Sequence, residues 1–357
     1  MQVHQFHPTA TFGDATSDQM LSLQRMLREM GCESEIFVER VPLHFEGRTR
    51  PIADYSRFSA PGNVLLLHYS LGYAAPVLEW ARQVPDRKVL VYHNITPHHF
   101  FAGVNAVYME AAQAGREQLG ELARLVDAGW GDSPYNCREL AAHDMPHTGV
   151  LPIIFDQRRY DVRPDRRVLK EWGEGANILF VGRVSPNKRI EDLLLTFYYL
   201  RRHVGMDARL LLVGSWTGME PYLAYLQALV QRLDLPDVVF AGHISAAALT
   251  ATYRCASVYL SMSEHEGFGV PLLESMYFDV PIVAYRAGAV PETLGESGML
   301  IREKDYAAVA ELVGLLIEDD PLRSQVVSRQ RERLAHFQPE AVRPKLAQLL
   351  REIGVEV

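Results

Sequence analysis

In the stretch SEHEGFGVPLLES, residues 263–275, Glu266 and Glu274 stand eight positions apart with glycines, a proline and an apolar run between them. An ionised carboxylate only accepts hydrogen bonds, so two of them suit a ligand that presents hydroxyl groups. Pro271 marks a helix start, because a first-turn proline gives up only an N–H that has no partner there. The free N–H groups of such a start form an anion site. Gly267 and Gly269 remove side chains on the approach, so that a ligand can come near the backbone of Phe268 and Val270. Hydroxyls on the acids and phosphate on the helix start together describe a nucleotide sugar. The competing reading is that both acids only cap and charge the first helical turn, worth about 0.3–1 kcal/mol each.

A second constellation lies in FVGRVSPNKRIEDLL, where Arg183 and Lys188 stand on one loop with Ser185 and Pro186 between them. A fixed guanidinium and a flexible ammonium can neutralise a diphosphate and stabilise it as a leaving group. Taken alone, the loop also reads as a solvated basic turn. GFGVPL supplies the first two glycines of a dinucleotide fingerprint, but Leu272 holds the third position and PIVAYRAG ends without the acid that a dehydrogenase needs. No Asp-x-Asp occurs in the chain, so no metal and no other cofactor is expected; Arg183, Lys188 and a helix start would supply the positive field.

The elements that must position these residues alternate along the chain. NVLLLHYS and KVLVYHNIT are short apolar runs bounded by turn residues, as strands covered on both faces by helices are, and they end in His68 and His93. SDQMLSLQRMLREMG carries apolar residues at three- and four-residue spacing, and NAVYMEAAQAGREQLGELARLVD reads as a helix. DQRRYDVRPDRRVLKEWGEG is polar and arginine-rich, which suggests a linker. Beyond it the alternation restarts with NILFVGR, and ARLLLVG, DVVFAG, ASVYLSM and PIVAY follow as further strands. The opening stretch is then a strand-to-helix crossing at the carboxyl edge of a parallel sheet, where ligands bind. The expected fold is α/β, with two doubly wound Rossmann-like domains facing a central cleft. The boundaries are residues 1–155, a linker at 156–170, a second domain at 171–337 and a terminal helix at 338–357.

Composition narrows the partners. A chain of 357 residues exceeds one ordinary α/β core. A net charge of −8 without a basic half argues against nucleic acid. Cys32, Cys137 and Cys255 are far apart in apolar contexts, which reads as buried thiols in a reducing compartment. With no signal-like start and no apolar run of about 18 residues, a cytoplasmic protein is expected; peripheral contact with the inner membrane face stays open.

With GRVSPNK, the acid pair of EHEGFGVPLLE and the continuation PIVAYRAGAVPETLGESGML, the chain resembles retaining glycosyltransferases of the GT-B fold, family 4. The resemblance runs over nearly the whole chain, and in the first half it rests chiefly on VYHNITPHHFF. It implies that the second domain binds the donor and the first the acceptor. Arg183 and Lys188 would hold the donor diphosphate, Glu274 the ribose hydroxyls, and Glu266 the transferred sugar near its 3-position. Gly267, Phe268, Gly269 and Val270 would add backbone contacts. The loop at Gly13 and Asp14 would face the diphosphate, His243 and Ile244 would wall the nucleobase, and His93 would line the reaction centre. His68, His98 and His99 are expected to be ordinary loop histidines. The tail HFQPEAVRPKLAQLLREIG, with Val342, Leu346, Leu349 and Leu350 apolar, would cross back to the first domain. The implied activity moves a hexosyl unit from a UDP- or GDP-linked sugar to a saccharide or lipid-linked acceptor, in polysaccharide or glycoconjugate synthesis. A nucleotide-sugar epimerase on the same fold, or a sugar-nucleotide-binding protein without turnover, remain alternatives. Nothing in the chain sets the oligomeric state.

Overall fold

The computed structural model describes residues 1–11 and 13–356. Among the described residues thirteen strands form two sheets, and every pairing between them is parallel. In the first sheet the strands are β1 (Val3–Phe6), β2 (Ile36–Val38), β3 (Arg50–Pro51), β4 (Val64–Tyr69), β5 (Arg87–Tyr92), β6 (Ala128–Gly131) and β7 (Thr148–Val150), in the order β3-β2-β1-β4-β5-β6-β7. The second holds β8 (Ala176–Val181), β9 (Ala208–Val213), β10 (Val238–Gly242), β11 (Val258–Ser261), β12 (Ile282–Tyr285) and β13 (Met299–Ile301), in the order β10-β9-β8-β11-β12-β13. Each order reverses once, between β1 and β4 and between β8 and β11. The loops leaving the carboxyl ends of those strands diverge and leave a crevice for ligands.

The apolar runs are central strands because helices cover them. All six residues of β4 are buried, as are five of the six in β5. The first compact unit comprises Met1–His98, Val107–Asp156 and Phe337–Val357; the second comprises His99–Ala106 and Gln157–His336. The last segment of the first unit is the helix Pro339–Glu352. Its Val342, Leu346, Leu349 and Leu350 lie in one apolar cluster with Val3, Leu66, Val91 and Trp130.

The passage expected to be a linker is organised. Residues Gln157–Tyr160 form a 3-10 turn and Arg166–Trp172 a helix, and both group with the second unit. Tyr160 and Trp172 are buried while the arginines between them stay at or near the surface, so two aromatic bodies anchor a segment whose composition is polar. His99–Ala106, read as part of the first domain, also groups with the second unit, where Asn105 Nδ2 donates to the Gly218 carbonyl at 2.7 Å. The long helix expected after Asn105 is Ala106–Glu117 followed by a separate turn, Leu119–Leu122. Cys32 is buried as expected, whereas Cys137 and Cys255 are half-buried. No helix among the described residues is long and apolar enough to cross a membrane.

Candidate functional site

In the second unit, the loops after β8 and β11 flank the point where strand order reverses. The first runs from Gly182 through the 3-10 turn Pro186–Lys188, and the second carries Glu264 to Gly269. They are tied together along the backbone. The Glu264 N–H donates to the Asn187 carbonyl at 2.9 Å, and Asn187 Nδ2 donates to the His265 carbonyl at 3.2 Å. Ser185 Oγ donates to Asn187 Oδ1 at 2.7 Å and holds that amide in place. On this frame Lys188 Nζ meets both oxygens of Glu266 at 2.7 Å, with the two side chains 17% and 16% exposed. The ion pair is therefore partly open to incoming groups. A diphosphate would compete with Glu266 for the ammonium and free that carboxylate for hydroxyls.

Arg183, earlier on the same loop, donates from Nη2 to the Thr217 carbonyl at 2.7 Å. It also helps hold the Glu220 carboxyl below the usual carboxylate range, after the backbone N–H groups of Glu220 and Gly218. Beneath the loop lies a charged layer absent from the sequence reading. Lys304 Nζ bonds Asp192 at 2.6 Å and Glu264 at 2.8 Å, while Tyr306 donates to Asp192 at 2.9 Å. Arg189 reaches Glu191, Asp192 and Glu264.

The helix after β11 runs Val270–Tyr277, with Gly269 as its N-cap at φ +92°. Gly269 is required there because a left-handed backbone disfavours any side chain, and an added Cβ would lie 2.9 Å from Leu272 Cδ1. That N-cap offers no side-chain hydrogen bond to the first helical N–H groups. The Glu266 backbone is fixed by Ala289, whose N–H donates to the Glu266 carbonyl at 2.9 Å. Gly288 permits this approach, since a Cβ on it would sit 2.4 Å from the same oxygen.

Glu274 is placed differently from its partner. It is 3% exposed, and each oxygen accepts from a phenol: Oε1 from Tyr160 and Oε2 from Tyr253 at 2.5 Å. Burial pushes the Tyr253 phenol well above its ordinary pKa, and the nearby Glu274 carboxylate adds to this, so Tyr253 remains a proton donor. His243 is exposed and Ile244 half-buried on the turn after β10. Gly13 is exposed at φ +81°, and Asp14 caps the helix Ala15–Glu29 by accepting from the Ser17 N–H at 3.0 Å. The carboxylate of Asp14 thus occupies the helix start that an anion would use.

In the first unit, His93 follows β5 directly. Its Nδ1 faces Asp132 Oδ2 at 2.8 Å, and its Nε2 faces His68 Nδ1 at 2.8 Å. Both ring nitrogens are engaged, so the imidazole is held in one orientation. His68 is not a loop histidine: it lies inside β4, is fully buried, and bonds Gln5 Oε1 through Nε2 at 2.9 Å. His98 and His99 open a 3-10 turn, His98–Phe101.

The described residues contain no group of three or more His, Cys, Asp or Glu side chains disposed to hold a metal ion. Two parallel α/β sheets, each with one reversal of strand order, are the architecture of the GT-B class. The model of the family described as glycosyl transferases group 1 matches residues 161–333. D-inositol 3-phosphate glycosyltransferase of Acidothermus cellulolyticus is 31% identical over 314 residues, covering 81% of this chain and 67% of the relative. GDP-mannose-dependent alpha-(1-6)-phosphatidylinositol monomannoside mannosyltransferase of Mycolicibacterium smegmatis is 32% identical over 47% of this chain and 47% of its own, so the match spans about half of that relative. Among solved structures, Anabaena HepE in complex with UDP-glucose superposes with a TM-score of 0.77 at 16% identity, covering 99% of this chain and 100% of that one. The chain belongs to the group 1 glycosyltransferases, family 4-like enzymes of the GT-B fold.

Proposed function

We propose that the protein transfers a hexosyl unit from a UDP- or GDP-linked sugar, with retention and without a metal, to a saccharide or lipid-linked acceptor in polysaccharide or glycoconjugate synthesis. The observation that carries this reading is the Lys188–Glu266 pair beside Arg183 at the carboxyl edge of the second sheet. Two cations on one loop match the charge that develops on a departing nucleoside diphosphate. The carboxylate set free when the diphosphate takes Lys188 matches a sugar hydroxyl. Relatives and neighbours supply the chemical class: one is named for GDP-mannose, and another is solved with UDP-glucose. In this reading Glu274 holds the ribose after one of its phenols gives way, His243 and Ile244 border the base, and Gly13 with Asp14 approaches the diphosphate. Gly267, Phe268, Gly269 and Val270 add their backbone groups, and His93 meets the transferred sugar.

The test is a screen of UDP- and GDP-sugars for protection against thermal unfolding, followed by turnover with and without acceptor. A donor at 100 times its dissociation constant adds about 2.7 kcal/mol of stability. Transfer should persist in excess EDTA. Loss restored by Mg²⁺ or Mn²⁺ refutes the metal-free step, and donor conversion without acceptor favours an epimerase.

A further inference from the structure

The four side chains Gln5, His68, His93 and Asp132 come from or directly follow the neighbouring strands β1, β4, β5 and β6. They form one continuous chain: Gln5 Oε1 to His68 Nε2 at 2.9 Å, His68 Nδ1 to His93 Nε2 at 2.8 Å, and His93 Nδ1 to Asp132 Oδ2 at 2.8 Å. The imidazole planes are 7° apart with centroids separated by 5.1 Å. At that separation a short N···N contact requires the rings to meet edge to edge, as a hydrogen bond does, rather than face to face.

The direction of the chain follows from its far end. Gln5 Nε2 lies 3.0 Å from the Met20 carbonyl, which can only accept. The Gln5 amide therefore donates to Met20 and turns its oxygen toward His68; the flipped amide would set oxygen against oxygen at one end. Since Gln5 Oε1 accepts, His68 Nε2 carries the proton, and as a neutral ring its Nδ1 must accept from His93. His93 then carries a proton on Nε2, yet its Nδ1 faces a carboxylate that also accepts. One proton beyond the count for two neutral imidazoles and a carboxylate is needed on that last bond.

We infer that this relay stores one proton between His93 and Asp132 and keeps the His93 Nε2 a permanent N–H donor, with His68, Gln5 and Asp132 as its positioning residues. The inference rests on the reading that His93 meets the transferred sugar: with its Nε2 proton committed to His68 Nδ1 and its Nδ1 facing Asp132, the ring has no lone pair to accept from a hydroxyl, and a sugar oxygen can only share the Nε2–H. Burial agrees with the assignment. It pushes the Asp132 carboxyl up, and it pushes His68 well below its ordinary value, with His93 and His7 adding to that fall. The other titratable groups facing the relay are His7, held by Thr9 and Ser70, and Asp14 beside His7.

The experiment uses the full chain with nitrogen-15-labelled histidine. At neutral pH, NMR should show His68 protonated at Nε2 alone and His93 carrying protons at both ring nitrogens or sharing one with Asp132. His68 protonated at Nδ1 alone, with His93 protonated at Nδ1 alone, would reverse the direction and overturn the inference. Two variants separate position from bulk. His68→Gln retains an acceptor toward His93 and a donor toward Gln5, so transfer should stay within a few-fold of the parent. His68→Leu removes both, and displacement of the imidazole should lower kcat about 100-fold with nucleoside diphosphate affinity unchanged. If NMR gives the expected protons while His68→Leu transfers normally, the relay stands and the placement of His93 at the sugar falls. If both His68 variants lose transfer equally, the donor role of Nε2 is refuted.

Discussion

The two units bring polar groups to the same topological place, the carboxyl ends of strands around a reversal of order, but assemble them in opposite ways. In the second unit the groups sit on loops, carry full charges and are partly open, as in the pair of Lys188 with Glu266. In the first they sit on or just beyond the strands, are buried, and count their protons through a relay from Gln5 to Asp132. A loop-borne ion pair that keeps some contact with solvent can exchange one partner for a ligand that brings its own charge. A buried relay cannot change without moving a proton. Under the proposed function, the difference would give rearrangement on binding to the second unit and fixed orientation to the first.

The largest test bears on what each unit needs in order to exist. Truncation after His336 removes Val342, Leu346, Leu349, Leu350, Ile353 and Val355 from the first unit's core. At about 1.5–3 kcal/mol for each buried apolar side chain, the loss rivals the whole net stability of a domain, about 5–15 kcal/mol. The first unit should fail to fold, while the contiguous stretch Gln157–His336 stays resistant to limited proteolysis. A truncated chain with Trp130 still buried and a cooperative melt would break the contrast in core construction.

Lys188→Ala comes next. If Lys188 neutralises the departing diphosphate, as proposed, its removal should lower turnover about 100- to 1,000-fold. Because both side chains keep some contact with solvent, the cost in stability should stay below the roughly 3–5 kcal/mol of breaking a fully buried pair. A double-mutant cycle with Glu266→Gln should show strong non-additivity in kcat/KM, since the two side chains are in contact. Near-normal turnover, or additive effects, would separate the pair from the chemistry.

How much of this was legible in the sequence follows from the same contrast. Arg183, Lys188, Glu266 and Glu274 stand in short motifs on strand–loop–helix crossings, so local spacing exposes them. The alternation of apolar runs with amphipathic stretches likewise carries the α/β architecture. The relay has no local signature: its bonds join residues 63, 25 and 39 positions apart, and only parallel pairing brings them together. Asp132 was marked by one cue, its place just after the buried run AGWG, parallel to His93 just after KVLVY. His68 lies inside β4, where burial rather than sequence type decides its role. Tyr160 was obscured by the arginines around it, which gave the segment the composition of a linker.

The pH dependence of stability probes the buried unit. Burial lowers the pKa of His4, His7 and His68, so the native state leaves them neutral where the unfolded chain binds protons. Their contribution is fully present above the unfolded value of about 6.5 and is lost as pH falls toward the folded values, by at most about 1.4 kcal/mol per pH unit for each. Asp132, whose pKa is raised, acts oppositely: its stabilising contribution is present below the unfolded value of about 3.9 and is lost as pH rises through the folded one. Urea unfolding followed by Trp130 fluorescence, with Trp80, Trp172 and Trp216 replaced by Phe, should show stability falling between pH 7 and 5.5. A flat profile would mean that the buried histidines take up protons in the folded chain as they do in the unfolded one.

Glu274 gives the smallest and sharpest test, because it is an acid of the second unit that is built like the first: buried, with each oxygen held by a phenol. Tyr160→Phe removes one donor and keeps the ring that packs near Tyr277 and Phe278. A hydrogen bond to a charged group is worth about 1.5–3 kcal/mol, and stability should fall by no more than this. Donor affinity separates two outcomes. If the ribose takes the place of the Tyr160 hydroxyl, the variant has lost a competitor for the carboxylate, and it should bind nucleoside diphosphate at least as tightly as the parent despite its lower stability. If Glu274 only ties the Gln157–Tyr160 turn to the helix Val270–Tyr277, binding should weaken in step with stability. A 2′,3′-dideoxy nucleotide, which offers no ribose hydroxyls to Glu274, should then bind the variant and the parent with the same ratio as the ordinary nucleotide does. An unchanged ratio would remove Glu274 from ribose recognition and leave Glu266 as the acid of the pair that meets the donor.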